Sequence, residues 1–199
     1  MTLVKLVDPE EMAPEIREYM EGYREMVGDI AFSRLMANVP GIFVKFNELY
    51  LATLQGNVEP GLKELGRLRL STLNGCENCR YGNAFFAEKN QISRRKISEI
   101  TEYRTSDAFS EREKAALTLA DRFIQLVPPK PLEAGVLATL RKHFSDADIV
   151  ELCCFFSLTM GFQRMNALLD LEYSCALPAA PYAEELRTAD ASATEVASG

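Results

Sequence analysis

Two cysteines, Cys76 and Cys79, form a C-x-x-C where the sequence predicts the start of a helix. The three-residue spacing lets their sulfurs close a small disulfide, and the unpaired N–H groups of a helix start favour a thiolate. Helix-start electrostatics favour ionisation of Cys76, whereas Arg80 favours it at Cys79. The motif alone is weak evidence, since five cysteines in 199 residues give a chance of about one in ten of a fortuitous C-x-x-C.

The other cysteines and the one histidine do not complete a metal site. Cys153 and Cys154 are adjacent in an apolar run, where small core residues are expected. A zinc site would need two more ligands besides Cys76 and Cys79. The candidates are Cys153, Cys154, Cys175 and His143, and they form neither a second C-x-x-C nor an H-x-x-x-H. We therefore predict no metal and no cofactor. His143 lies near a predicted helix end, where capping is favoured over catalysis.

The charge balance restricts the classes of partner. Lys and Arg total 22 against 29 Asp and Glu, for a formal net charge of -7. Without a basic stripe, nucleic acid is not an expected partner. The longest nearly apolar run, 152–162, is about half of the roughly 20 residues that a membrane span needs. The N-terminal residues lack a basic region and an apolar stretch typical of a secretory signal, so we predict a cytoplasmic protein without a membrane partner.

Apolar residues recur at helical spacing along most of the chain, which predicts an all-α protein. Predicted helices begin near residues 9–14, 32, 42, 60 and 76. Three more begin after the N-caps Ser93, Ser110 and Ser145, and another ends near His143. The segment 149–171 is predicted to be the central helix. Residues 1–178 form one predicted helical domain. Residues 179–199 have few large apolar side chains and are predicted to be a disordered tail.

The stretch from Glu64 to Cys79 resembles the core motif of the carboxymuconolactone decarboxylase and AhpD-like superfamily. That motif has a Glu, a helix, Asn-Gly and then C-x-x-C, and here twelve positions separate Glu64 from Cys76. The segments 144–152 and 161–166 resemble the second half of longer members. The resemblance implies an AhpD-like helical bundle. A weak echo between Glu64 and Glu151, each early in an apolar helix, indicates an internally duplicated helical unit.

The resemblance also implies roles for the site residues. Cys79 attacks the hydroperoxide, Cys76 resolves the product as a disulfide, and Glu64 relays protons. Taken alone, Glu64 would be interpreted as an ordinary solvated carboxylate on an amphipathic helix. Its spacing to Cys76 favours a functional role instead. The family pattern has histidines where this chain has Asn78 and Asn83, which cannot carry a proton near neutral pH, although they can hold a water or donate a hydrogen bond.

Residues near the motif have two interpretations each. Tyr81 and the pair Phe85–Phe86 are either core residues or the lining of an apolar pocket. Arg67 and Arg69 are surface or interface residues, or one of them faces a charged substrate. The Met and aromatic residues of 16–54 are core or subunit interface.

The function implied by the resemblance is a thiol-dependent peroxidase or disulfide reductase acting on a small hydroperoxide. A dithiol, lipoylated or thioredoxin-like donor would recycle it, and a homo-oligomer is expected. One alternative is a non-redox lyase of the decarboxylase branch, which does not depend on a C-x-x-C. Another is a binding or assembly module whose redox activity is weakened by the loss of both histidines.

Overall fold

The computed structural model describes residues 2–27, 30–75, 77–125 and 130–171. These residues form helices, turns and loops without a strand, which confirms the all-α prediction. The helices are α1 (Pro14–Val27), α2 (Ala31–Met36), α3 (Pro40–Leu54), α4 (Pro60–Leu73), α5 (Glu77–Lys89), α6 (Arg94–Ser98), α7 (Glu111–Gln125), α8 (Ala134–Arg141) and α9 (Asp146–Leu168). Short 3-10 turns lie at Pro9–Glu11 and Ile100–Glu102.

The predicted serine caps are present. The Ser93 hydroxyl accepts a hydrogen bond from a backbone N–H in the first turn of α6. Ser110 and Glu113 form a reciprocal capping box before α7, and Ser145 and Asp148 form another before α9. Each box satisfies N–H groups that a helix start leaves without partners, which is why these helices begin where they do.

Helix α4 is the enclosed centre of the bundle, since it packs against α5, α7 and α9. Its buried side chains extend from Leu62 to Ser71. The prediction that α9 is central was wrong, because α9 has a solvent-facing side on which Val150 is 62% and Leu168 is 77% exposed. An apolar run does not distinguish a buried helix from one with an exposed apolar side.

Two charged residues of α4 form buried ion pairs that join helices. Lys63 is 0% exposed, and its Nζ lies 2.6 Å from Oε1 of Glu151 on α9. Arg69 donates from Nε to Oδ1 of Asp121 on α7 at 2.7 Å. The interpretation of Arg69 as a surface residue was therefore wrong, because the partner that makes its burial possible is 52 positions away.

Glu151 has a different role from Glu64, its counterpart in the internal echo. Its carboxylate accepts the backbone N–H groups of Asn57 and Val58 at 2.8 and 2.9 Å, so it holds the turn between α3 and α4. Burial alone would raise its pKa, but the bonds to Lys63 and to these two N–H groups lower it below that of an ordinary glutamate.

Several sequence expectations concern residues elsewhere in the chain. Cys153 is partly buried, but Cys154 is exposed, so its assignment to the core was wrong. His143 follows the end of α8 and is partly buried. Cys175 and the predicted tail 179–199 lie outside the described residues. In the part of the chain that the structure describes, no helix is long and apolar enough to cross a bilayer.

Candidate active site

A cavity of about 1130 Å³ opens between α1, α2, α3, α4, α5 and α9. Eight aromatic rings line it: Tyr19, Tyr23, Phe32, Phe43, Phe46, Tyr50, Phe86 and Phe162. Many of these rings contact one another, as Phe46 does with Phe162 at a centroid distance of 4.0 Å. The sequence interpretation of the aromatic residues in 16–54 as core or interface missed this lining. Their density in the first three helices was the available signal.

Helix α5 presents Cys79 to this cavity. Cys79, Gly82, Asn83 and Phe86 follow one another at helical spacing along one side of α5, and all four line the cavity. Tyr81 is not among the lining residues and packs against the core between α4, α5 and α7. Its interpretation as pocket lining was therefore wrong, because position 81 falls on the opposite side of the helix.

Cys79 is partly buried in the first turn of α5, as predicted, and is disulfide-bonded in this structure. A cysteine at this position experiences the positive end of the helix dipole, which favours its thiolate once it is reduced. Cys76 and the side chain of Asn78 lie outside the described residues.

Glu64 extends from α4 into the cavity wall. It is only 1% exposed, so the interpretation as a solvated carboxylate was wrong. Its Oε2 lies 2.6 Å from Nη2 of Arg67, although neither atom is aligned for a hydrogen bond. Burial raises the pKa of Glu64, and the nearby Arg67 charge opposes this rise only in part. Glu64 therefore keeps its proton to a higher pH than an ordinary glutamate does.

Arg67 connects Glu64 to the aromatic lining. Its Nη1 donates to the Tyr50 hydroxyl at 2.9 Å, and its guanidinium lies 4.9 Å from the centre of the Phe86 ring. Burial would lower the pKa of Arg67, but the charges of Glu64 and Tyr50 raise it overall. Burial raises the pKa of Tyr50 to about 12. Arg67 is thus a cavity residue rather than a surface one.

Two amides hold the cysteine-bearing segment in place. Asn83, at a position where the family pattern has histidine, donates from Nδ2 to the backbone carbonyl of Arg67 at 3.2 Å and so ties α5 to α4. Asn74, just before the cysteine motif, donates from Nδ2 to Oε1 of Gln163 at 3.1 Å. Gln163 lies on α9 and lines the cavity. Sequence reasoning missed it because its partner is 89 positions away.

Comparison with known proteins finds a family that matches part of this chain. Residues 40–122 match the carboxymuconolactone decarboxylase family. The uncharacterized protein YdfG of Bacillus subtilis (strain 168) is 26% identical over 114 residues, which are 57% of this chain and 77% of that protein.

Solved structures share the fold. The debrominase Bmp8, solved as a cysteine-to-alanine variant with 2,3,4-tribromopyrrole, has a TM-score of 0.77 at 23% identity, covering 95% of this chain and 98% of that one. An uncharacterized peroxidase-related protein from Ralstonia eutropha JMP134, described as an alkylhydroperoxidase AhpD core, has a TM-score of 0.75 at 16% identity, covering 86% and 91%. At these identities the likeness shows the fold.

Proposed function

We propose that this chain, whose residues 40–122 match the carboxymuconolactone decarboxylase family, is a thiol-dependent reductase that reduces hydroperoxides with Cys79 and Cys76. The observation that carries the proposal is that Cys79 and the buried Glu64 line one cavity. A sulfur nucleophile and a proton carrier there supply the two groups that reductive cleavage of an O–O bond requires.

The reaction proceeds in balanced steps. The Cys79 thiolate attacks the terminal oxygen of the hydroperoxide, the O–O bond breaks, and the organic oxygen leaves as an alcohol after taking a proton. Cys79 is then a sulfenic acid. The Cys76 thiol attacks that sulfur, water leaves, and a Cys76–Cys79 disulfide forms. A dithiol, lipoylated or thioredoxin-like donor reduces the disulfide by thiol exchange.

Glu64 is the proton donor to the leaving alcohol oxygen in this scheme. Its burial keeps it protonated to a higher pH than an exposed carboxyl, which is the state that an acid catalyst must hold before the O–O bond breaks. Arg67 stays charged and stabilises the carboxylate that the transfer leaves behind. Asn83 is bonded to the backbone of α4, so this scheme assigns the proton transfer to Glu64.

The test is a thiol count on the reduced protein before and after one equivalent of an organic hydroperoxide, with mass mapping of the cysteines. We expect two thiols to disappear together and to map to Cys76 and Cys79. Cys79→Ser should abolish the loss, and Cys154→Ser, which removes an exposed cysteine outside the cavity, should leave it unchanged. Survival of both thiols in the presence of hydroperoxide would refute the proposal.

The aromatic cavity favours a second candidate, reductive dehalogenation of a halogenated arene. The debrominase Bmp8 shares the fold, but the eight rings that line the cavity are what favour such a substrate here. The Cys79 thiolate would take the halogen as a positive centre, the ring carbon would take a proton from Glu64, and Cys76 would displace halide to form the disulfide. Release of one halide for each disulfide, with the hydrogenated arene as product, distinguishes this reaction from peroxide reduction.

A further inference from the structure

We propose that the substrate delivered to Cys79 is a bulky, uncharged aromatic molecule rather than a small hydroperoxide. This inference deepens the proposed function by naming the substrate class of the same site. It rests on the cavity's volume, on two glycines in its wall, and on the charges around it.

The cavity is far larger than a small hydroperoxide. Its volume of about 1130 Å³ lies just above the range of about 300–1,000 Å³ in which proteins hold drug-sized ligands. Aromatic rings offer such a ligand stacked and edge-on contacts with specific geometry. Tyr23 on α1 already stacks with Phe86 on α5 at a centroid distance of 6.4 Å, which shows that rings meet across the cavity between these helices.

Two glycines enlarge the cavity at a cost in helix stability. Gly22 in α1 and Gly82 in α5 both line it. Glycine inside a helix is less favourable than alanine by about 1 kcal/mol. Packing does not require either one. A Cβ added at Gly22 or Gly82 would meet no atom within 4 Å in the described part of the chain, apart from its chain neighbours and its own helix backbone. Gly66 contrasts with them, because its Cβ would lie 2.4 Å from the Phe156 ring.

The position of Gly82 connects this space to the chemistry. Gly82 lies three residues after Cys79 in the same helix, so the two share a side of α5 and are neighbours on its surface. A side chain at position 82 would fill the approach to the sulfur from that side. Its absence lets a ring system lie against α5 while its reactive atom contacts Cys79.

The charges around the cavity favour a neutral ligand. Its acidic lining residues are Glu15, Glu18 and Glu64, and the basic ones are Arg67 and Lys89. With Glu64 protonated, as the proposed function requires, Glu15 and Glu18 balance Arg67 and Lys89, and the chain carries a formal charge of -7. An anionic ligand would therefore gain little from binding here and would lose its hydration.

The binding test uses an unreactive probe, so it is independent of the thiol chemistry. N-phenyl-1-naphthylamine is a neutral molecule with a naphthalene and a phenyl ring, and it fluoresces in apolar surroundings. Its anionic analogue is 8-anilinonaphthalene-1-sulfonate. We expect the wild-type chain to bind the neutral probe with about one molecule per chain and more tightly than the anion. Equal or tighter binding of the anion would overturn the inference.

Variants at the two glycines locate the binding site. We expect Gly82→Leu and Gly22→Leu each to weaken binding of the neutral probe by about tenfold or more, as overpacking penalties predict. Gly135→Leu is the matched control, since Gly135 lies in α8 with open space at its Cβ but does not line the cavity. Unchanged binding in both cavity variants, with wild-type circular dichroism, would overturn the inference.

Turnover separates this inference from the proposed function. We expect Gly82→Leu to slow reduction of cumene hydroperoxide at least about tenfold more than reduction of tert-butyl hydroperoxide. An equal effect on both would contradict the substrate class. No thiol loss with either hydroperoxide in the wild type would refute the peroxidase proposal, whereas probe binding would still decide the substrate class.

Discussion

The contact between Glu64 and Arg67 leads to a prediction that does not depend on any assumed activity. Replacing Arg67 by Met removes the one charge that opposes the effect of burial on Glu64. For unit charges 2.6 Å apart, effective dielectric constants of about 80 to about 20 give an attraction of about 1.6 to about 6 kcal/mol. Even the lower value is well above the thermal energy. We therefore expect Arg67→Met to raise the pKa of Glu64 above its wild-type value.

The assay is a carbon-13 NMR titration of protein labelled at the glutamate carboxyl carbon. The Glu64 signal is identified by its loss in Glu64→Gln. In the wild type it should titrate above the ordinary glutamate range, and in Arg67→Met still higher. Arg141→Met is the control, because Arg141 pairs with the exposed Asp146 outside the cavity. A wild-type Glu64 that titrates like an exposed carboxyl, or a downward shift in Arg67→Met, would refute the reasoning.

The same shift has a consequence for stability. The folded chain holds the Glu64 proton more tightly than the unfolded chain does. Protonated Glu64 therefore contributes fully to the free energy of unfolding at pH values below its pKa in the unfolded chain. This contribution is lost as the pH rises through its pKa in the folded chain. The free energy of unfolding should therefore fall with pH across that window in the wild type, and this fall should be absent in Glu64→Gln. Urea denaturation at a series of pH values measures it.

Two further substitutions test other parts of the structure. Lys63→Met leaves the carboxylate of Glu151 without its buried cation and should lower the free energy of unfolding by about 3 kcal/mol, measured in urea. Lys45→Met, which removes an exposed pair, should change it by less than about 1 kcal/mol. Asn83→His places an imidazole in the cavity wall and should raise the hydroperoxide rate at pH values near 6.5 and above, where neutral histidine acts as a base. A pH profile identical to that of the wild type would contradict the expectation that an imidazole at position 83 acts as a base in the cavity.

Local signals in the sequence predicted most of the helices. The periodicity of apolar residues and the serine caps are short-range properties, and Ser93, Ser110 and Ser145 each bond to groups within three residues. The placement of Cys79 in the first turn of α5 followed from the same kind of signal. Such features can be predicted because their physical causes lie in neighbouring residues.

Features that depend on distant partners could not be predicted in this way. The burial of Arg69 depends on Asp121 and that of Lys63 on Glu151, both far along the chain. The cavity depends on how α1, α2 and α3 pack around α4 and α5. Aromatic residues there look the same in sequence whether they fill a core or line a cavity, because both environments select apolar rings.

The buried ion pairs of α4 differ in a way that bears on function. Two of the pairs, Lys63–Glu151 and Arg69–Asp121, make additional hydrogen bonds that join helices and turns. Their contribution to the stability of the fold therefore explains their presence. Among the described residues, Glu64 Oε2 and Arg67 Nη2 contact each other at 2.6 Å but make no aligned hydrogen bond, and Arg67 Nε has no partner. An apolar pair of similar size would be at least as stable there. What the pair adds in the proposed scheme is a proton carrier in the cavity that contains Cys79, and we propose that role as the reason for its presence.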